Sequence, residues 1–315
     1  MKSKIKTPDV SIILVNFNGG RTVLNCLRSL FLQTCDLCYE VFIVDNASTD
    51  GSAKKIRNTF PEVFLIENPT NAGYSCACNQ AIRVSKGKTV ILLNSDTILM
   101  NNAVRMMMDF FEKNSKAGIA GCMLLNEDGT YQKSAGGVRS IVNEWKEKWV
   151  RTGLDRQMQT AWKIEERFSR NIQSVDWVSG AFLMIRRSVI NRIGLLDERM
   201  FLFFEDIEWC TRARKAGYEV LYNPHVRVMH LGGKSIAHNE VKSLLEYRRS
   251  QLLFYKTHYG SGLDTGILRL YLVARALYGS TTNEISVRMG SPDQGEGPID
   301  KRQMFAELFR IVRRG

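Results

Sequence analysis

Short continuous apolar runs alternate with segments of helical spacing through the first third of the chain. VSIILVN (10 to 16) reads as a strand, residues 21 to 33 carry Val23, Leu24, Leu27, Leu30 and Phe31 at helical spacing, and EVFIVD (40 to 45) is again strand-like. GSAKKIRNTF then reads as a helix, VFLIE as a strand, 74 to 85 as a helix, KTVILLN (88 to 94) as a buried strand and 101 to 113 as a helix. Strands separated by single helices, with apolar runs too continuous for a half-exposed sheet, predict a parallel sheet covered on both faces. The fold class expected is α/β, doubly wound.

Asp128-Gly129 has the chemistry of a hairpin turn. The pattern degrades between about 134 and 172, a stretch rich in Trp, Lys, Arg and Glu that reads as a mobile or acceptor-facing insertion. It resumes at VDWVSGAFLMIRR (175 to 187), a strand pair or a strand with a glycine bend, followed by a short helix. FFEDIEWC opens a further helix, YEVLYNPHVRVMHLGG (218 to 233) is a strand region, and 240 to 258 and 263 to 278 read as helices. GSPDQGEGP (290 to 298) reads as a flexible linker.

Composition narrows the partners. The 315 residues include 44 Lys and Arg against 32 Asp and Glu, a net charge of +12 and a pI near 9.4. That balance favours an anionic partner: a phosphorylated metabolite, an anionic membrane surface or nucleic acid. The basic residues are interspersed with acids and form no recognisable reading module, which argues against nucleic acid. The first strand is followed by NFNGG and not by G-x-G-x-x-G, which argues against a dehydrogenase. The start lacks a secretory h-region of adequate length, so a cytoplasmic protein is expected. Seven cysteines without a regular framework suit reduced thiols, the C-x-x-C of Cys35 and Cys38 included. LDTGILRLYLVARALY is too charged and too short to span a bilayer. Its Leu263, Ile267, Leu270, Ala274 and Leu277 share one face, either a core-packing helix or an interfacial helix resting on lipid beside Arg248, Arg249, Lys256, Arg313 and Arg314.

In doubly wound sheets ligands bind at the carboxyl ends of the strands. Asp45 ends one buried strand, and Asp50 or Ser48 is placed to cap the next helix. ILLNSDT delivers Asn94, Ser95 and Asp96 to the same edge; an Asp there either caps the next helix or binds a hard divalent cation together with substrate phosphates. On a helix from 205 to 216, Glu205, Glu208, Arg212 and Lys215 fall on one side, expected to be a solvated face. Asp206 points with Trp209, Cys210 and Ala213, the expected buried side, in a first turn whose dipole favours an anion. His230 ends a strand and is either structural or a ligand. In WVSGAF, Gly180 permits close backbone approach to a substrate or a tight bend, and Trp177 is either a sugar-stacking ring or a core indole.

These motifs resemble, in order, the nucleotide-sugar domain of inverting glycosyltransferases of family 2, which have the GT-A fold. The resemblance runs from VSIILVNFNGG through VDNASTDGS, NPTNAGYSCACNQA, LLNSDT and VSGAFLMIRR to FEDIEWCTRARKAGY and HLGG, about residues 10 to 233. Within that family the chain looks most like the bacterial rhamnosyltransferase and galactofuranosyltransferase branch that builds cell-surface polysaccharide. Asn94 stands where the first Asp of the family's D-x-D motif is usual, and Asn46 where a second Asp often follows Asp45.

The resemblance implies a GT-A-type, mostly parallel sheet with a nucleotide-sugar half (1–125), an acceptor-binding and catalytic half (126–235) and a basic helical C-terminal extension (236–315). It implies that Asn16, Asn18, Asp45, Asn94 and Asp96 bind the donor nucleotide sugar. Asp206 would be the general base, with Trp177, Gly180 and Glu205 toward the acceptor. Asp96 and His230 would hold Mg²⁺ or Mn²⁺. The activity implied is transfer of rhamnose or a related hexose from a nucleotide-diphosphate donor to a saccharide or polyprenyl-linked acceptor, at the cytoplasmic face of the membrane. The alternative is a non-catalytic nucleotide-sugar sensor or assembly subunit on the same fold.

Overall fold

A computed structural model describes residues 7–34, 36–137, 143, 170–232, 240–260, 262–281 and 301–314. Most of the insertion expected at 134 to 172, the linker expected at 290 to 298, Cys35 and Gly233 lie outside the described residues.

The first half alternates as the apolar pattern predicts: β1 (Val10–Asn16), α1 (Gly20–Gln33), β2 (Tyr39–Asp45), α2 (Ser52–Thr59), β3 (Phe64–Glu67), α3 (Tyr74–Val84), β4 (Thr89–Asn94), β5 (Thr97–Leu99) and α4 (Ala103–Lys113). The second half is strand-rich: β6 (Ala117–Leu125), β7 (Tyr131–Gln132), β8 (Ala135–Gly136), β9 (Gln173–Ser174), β10 (Trp177–Val178) and β11 (Phe182–Arg186). After α5 (Arg187–Ile193) and α6 (Glu205–Lys215) comes the long β12 (Glu219–His230), then three helices, α7 (Glu240–Tyr259), α8 (Leu263–Thr281) and α9 (Lys301–Arg314).

One sheet organises the chain, in the order β3-β2-β1-β4-β11-β6-β12-β5. Its β3, β2, β1 and β4 pair in parallel, as do β6 and β12, whereas β11 runs antiparallel to both its neighbours and β5 antiparallel to β12. The side-chain period of two in a strand sends alternate residues to opposite faces. Accordingly Ile13 and Leu92 join the core beneath α3 and α6, while Ile12, Leu14 and Leu93 join the core beneath α1 and α4. Both faces are dry, which is why these strands read as unbroken apolar runs.

Two turns position later chemistry. The Asp128-Gly129 hairpin forms, Gly129 at φ +81° and Asp128 Oδ1 accepting the Thr130 amide at 2.9 Å. In β12 the register shifts between Asn223 and Arg227, across Pro224, which has no N–H to give a ladder. The cap expected before α2 differs: Gly51 at φ +75° occupies the N-cap, and Asp50 instead accepts the Ser52 amide from outside the helix.

The C-terminal helices pack into the same core as α6, through Leu245, Leu252 and Phe254 of α7, Leu268 and Leu272 of α8, and Leu308 and Ile311 of α9. On α8 the buried face is Thr265, Leu268 and Leu272, whereas Leu263 and Leu270 are exposed at 82% and 70%. Of the stripe expected on one face, Leu263, Leu270 and Ala274 are exposed, whereas Ile267 packs against the core. No helix among the described residues is long and apolar enough to cross a membrane.

Candidate active site

Three polar clusters form at strand and loop ends, and tertiary pairing brings two of them together. The first joins β1 to β2. Asn16 Nδ2 donates to Asp45 Oδ1 at 2.6 Å and to Ser52 Oγ at 2.8 Å, while Asp45 Oδ2 accepts the Ser48 amide at 2.9 Å. Asn18, at φ +52°, accepts the Thr49 amide on Oδ1 at 2.8 Å, so the loops after β1 and β2 are laced together. Gly19 is required here, since a Cβ would stand 2.4 Å from Asn16 Oδ1. Asn16 and Asp45 are buried, at 0% and 3% exposure. Burial and mutual hydrogen bonding make Asn16 and Asp45 the brace of the two loops, and Asn18 is the half-buried member.

The second cluster forms because β5 pairs with the end of β12. The register sets His230 opposite Thr97, and Leu231 N–H donates to Asp96 O at 2.9 Å. Asp96 Oδ1 then lies 3.1 Å from His230 Nε2, both side chains only 16% exposed, and Asn94 Nδ2 lies 3.3 Å from the same nitrogen. Among the described residues no group of three or more His, Cys, Asp or Glu gathers that could hold a metal. One carboxylate oxygen and one imidazole nitrogen, with no thiolate, nevertheless suit a hard or borderline divalent cation whose remaining ligands come from substrate phosphates and water. The other ring nitrogen, Nδ1, is 2.6 Å from Gln132 Oε1. Sequence reasoning missed Gln132, although its place two residues beyond the Asp128-Gly129-Thr130 turn was the available signal.

The third cluster is built on α6. Phe203 and Phe204 precede it at φ +68° and +65°, a left-handed pair that costs bulky residues about 1–3 kcal/mol each. Their rings offset this by packing edge-on against Tyr247 of α7, at centroid distances of 5.6 and 5.2 Å. The aromatic run thus fixes where the helix starts. Asp206 is half-buried in its first turn, and its Oδ2 accepts the Gly180 N–H at 2.8 Å. The next residue, Ala181, accepts the Asn94 N–H through its carbonyl at 3.1 Å. The bend at 179–181 therefore connects Asp206 to the Asn94-Asp96 turn, and with it to His230.

The face expected to be solvated is interior at Glu205 and Glu208, half-buried at Arg212 and exposed at Lys215. Glu208 is 2% exposed; Arg212 grips it through Nη2 at 2.7 Å, and His258 of α7 meets it through Nε2 at 3.2 Å. Arg212 also donates to the carbonyls of Ile193 and Leu195, which ties α6 to the end of α5. Glu205 is buried too, and its Oε2 has no hydrogen-bond partner among the described residues. Burial pushes its carboxyl up to about 8, and the adjacent Asp206 charge acts in the same direction. Trp177 is a core indole, 7% exposed and laid against Gly136. Of the residues expected toward the acceptor, Gly180 touches the Asp206 carboxylate through its amide.

Residues 11–194, more than half of the chain, match the family described as Glycosyl transferase family 2. An N-acetylglucosaminyl-diphospho-decaprenol L-rhamnosyltransferase of Mycobacterium tuberculosis is 27% identical over 259 residues, covering 79% of this chain and 84% of the relative. A dTDP-rhamnosyl transferase of Shigella flexneri is 26% identical over 262 residues, covering 79% and 81%. Among solved structures, a mannosyltransferase from Pyrobaculum calidifontis in complex with GDP-Man and Mn²⁺ superposes with a TM-score of 0.57 at 16% identity, over 98% of this chain and 87% of that one. The fold is thus GT-A, and the chain belongs to glycosyl transferase family 2.

Proposed function

We propose that this glycosyltransferase moves rhamnose or a related hexose from a nucleotide-diphosphate donor to a saccharide or polyprenyl-linked acceptor in cell-surface polysaccharide synthesis, with inversion. The two rhamnosyltransferase relatives support the sugar, and the diphospho-decaprenol acceptor of the Mycobacterium tuberculosis relative supports the lipid-linked acceptor. The observation that carries the reading is the link from Asp206 through Gly180 and Ala181 to the turn bearing Asp96.

Asp206 serves as general base. Its Oδ2 is held by the Gly180 amide and Oδ1 by the Ile207 amide at 2.7 Å, so the carboxylate is oriented before any acceptor arrives. It takes the proton of the acceptor hydroxyl as that oxygen attacks the anomeric carbon, a contribution of ~10²- to 10⁴-fold. A single displacement inverts the centre. Asp96 and His230 would hold Mg²⁺ or Mn²⁺, which when bound supplies Lewis-acid neutralisation of the leaving diphosphate. The braced loops bearing Asn16, Asn18 and Asp45 form the rim on which the nucleotide rests. In this reading residues 1–125 form the donor half, 126–235 the acceptor and catalytic half, and 236–315 the extension. The exposed Leu263 and Leu270 of α8 support contact of that extension with an anionic membrane face.

A panel of nucleotide-diphosphate sugars tested by thermal shift with and without Mn²⁺, followed by NMR of the product's anomeric configuration, tests the reading. The expected result is stabilisation by one donor, greater with Mn²⁺, and an inverted product. Retention of configuration would overturn it.

A further inference from the structure

The hydrogen bonds around His230 have a polarity that can be followed from unambiguous groups. Asp128 is a carboxylate and only accepts; Thr130 Oγ1 donates to it at 2.6 Å. That hydroxyl is then the acceptor for Asn126 Nδ2 at 2.9 Å, which also reaches the Tyr131 carbonyl. Asn126 must therefore present Oδ1 to Gln132, whose Nε2 donates to it at 2.9 Å and to the His230 carbonyl at 3.3 Å. A backbone carbonyl never donates, so turning the Gln132 amide over would set oxygen against oxygen at both contacts. Oε1 is left facing His230 Nδ1 at 2.6 Å, and the ring nitrogen must carry the proton. Nε2 then offers its lone pair, with the Asn94 amide and the Asp96 carboxylate before it.

We propose that Gln132, held by the 126–132 hairpin, is a positioning residue that fixes His230 as the Nδ1–H tautomer and aims the Nε2 lone pair at Asp96. In this tautomer a neutral ring sets its lone pair against a carboxylate oxygen 3.1 Å away, an arrangement relieved by a cation between the two or by a second proton. The hairpin thus holds the pair ready for a cation in advance. This rests on the reading of His230 as a metal ligand. Partners that fix the tautomer of a ligating imidazole contribute about 10- to 100-fold to metal affinity.

The test uses the full chain, ¹⁵N-labelled at histidine and free of metal, with the His230 signals assigned by their loss in His230→Gln. Proton–nitrogen correlation spectra should give Nδ1–H for His230 in the wild type. In Gln132→Leu the ring should turn to the Nε2–H form, which can donate to Asp96. Mn²⁺ titration followed by electron paramagnetic resonance should give binding weakened ~10- to 100-fold in Gln132→Leu. An Nε2–H ring in the wild type overturns the proposal without recourse to any variant, as does an unchanged tautomer in a folded Gln132→Leu. A wild type that binds no Mn²⁺ overturns the metal reading instead, while the tautomer still decides the role of Gln132.

Discussion

Oδ2 of Asp206 accepts the backbone N–H of Gly180 at 2.8 Å, joining two segments that are 26 residues apart in the chain. The contact orients the carboxylate. It also sets Asp206 beside Ala181, whose carbonyl pairs with Asn94. Asp206 and the Asn94–Asp96 turn are thereby fixed to one piece of backbone.

Asp206→Asn keeps the side chain's shape and removes its basicity. Transfer should fall by at least ~10²-fold while donor affinity, measured by calorimetry, stays within about threefold. Full turnover in this variant would refute the assignment.

Asp96→Ala and His230→Ala each remove one of the two metal ligands proposed above. Either should raise the Mn²⁺ concentration needed for half-maximal activity by ~10-fold or more. Turnover by the wild type in excess chelator would count against a metal at this pair.

Glu205 is a buried acid whose proton is held more tightly in the folded chain than in the unfolded one. The folded state therefore binds more protons, and stability is greatest below the ordinary glutamate range and is lost as pH rises toward about 8. Glu205→Gln, neutral at every pH, should flatten this dependence and gain more stability at pH 8 than at pH 5, read from urea midpoints. Parallel pH curves for the two proteins would remove Glu205 as the cause.

Glu208, Arg212 and His258 form an interior ion cluster between α6 and α7. Against the cost of its own burial, hydrogen bonds from His258 and Arg212 keep Glu208 below the usual carboxylate range, so this stabilisation is present near neutrality and lost as pH falls through that range. Glu208→Ala leaves Arg212 and His258 without the carboxylate they share and should cost about 3–5 kcal/mol in denaturant unfolding. A loss under about 1 kcal/mol would show that the helices are held by packing alone.

Leu263 and Leu270 stand outward on α8. Replacing both with serine should leave the melting temperature within about 2 °C and reduce co-flotation with vesicles containing anionic lipid, because exposed residues contribute little to folding. Unchanged flotation would place the membrane contact elsewhere.

Much of this molecule was legible in its sequence. The unbroken apolar runs named β1, β2 and β4 correctly, since a strand dry on both faces has no polar positions to interrupt it. The turn at Asp128-Gly129 was legible because a left-handed position selects glycine locally. The α6 charges were misread because helical spacing groups residues on a face without saying what covers it; α7, more than thirty residues later, turned that face inward. Asn16 and Asp45 were recognised as partners in one region, yet their burial depended on loops meeting across β1 and β2.

The sequence by itself determined the order of strands and helices and delivered its polar residues to strand ends, because those properties follow from periods of two and 3.6 and from nearest-neighbour chemistry. Tertiary structure alone decided which of those residues touch. The β5–β12 register set Asp96 against His230, the 126–132 hairpin oriented the imidazole, and the bend at Gly180 received Asp206. Each of these is a contact between residues far apart in the chain. Such contacts depend on the packing of whole elements, which no local pattern records.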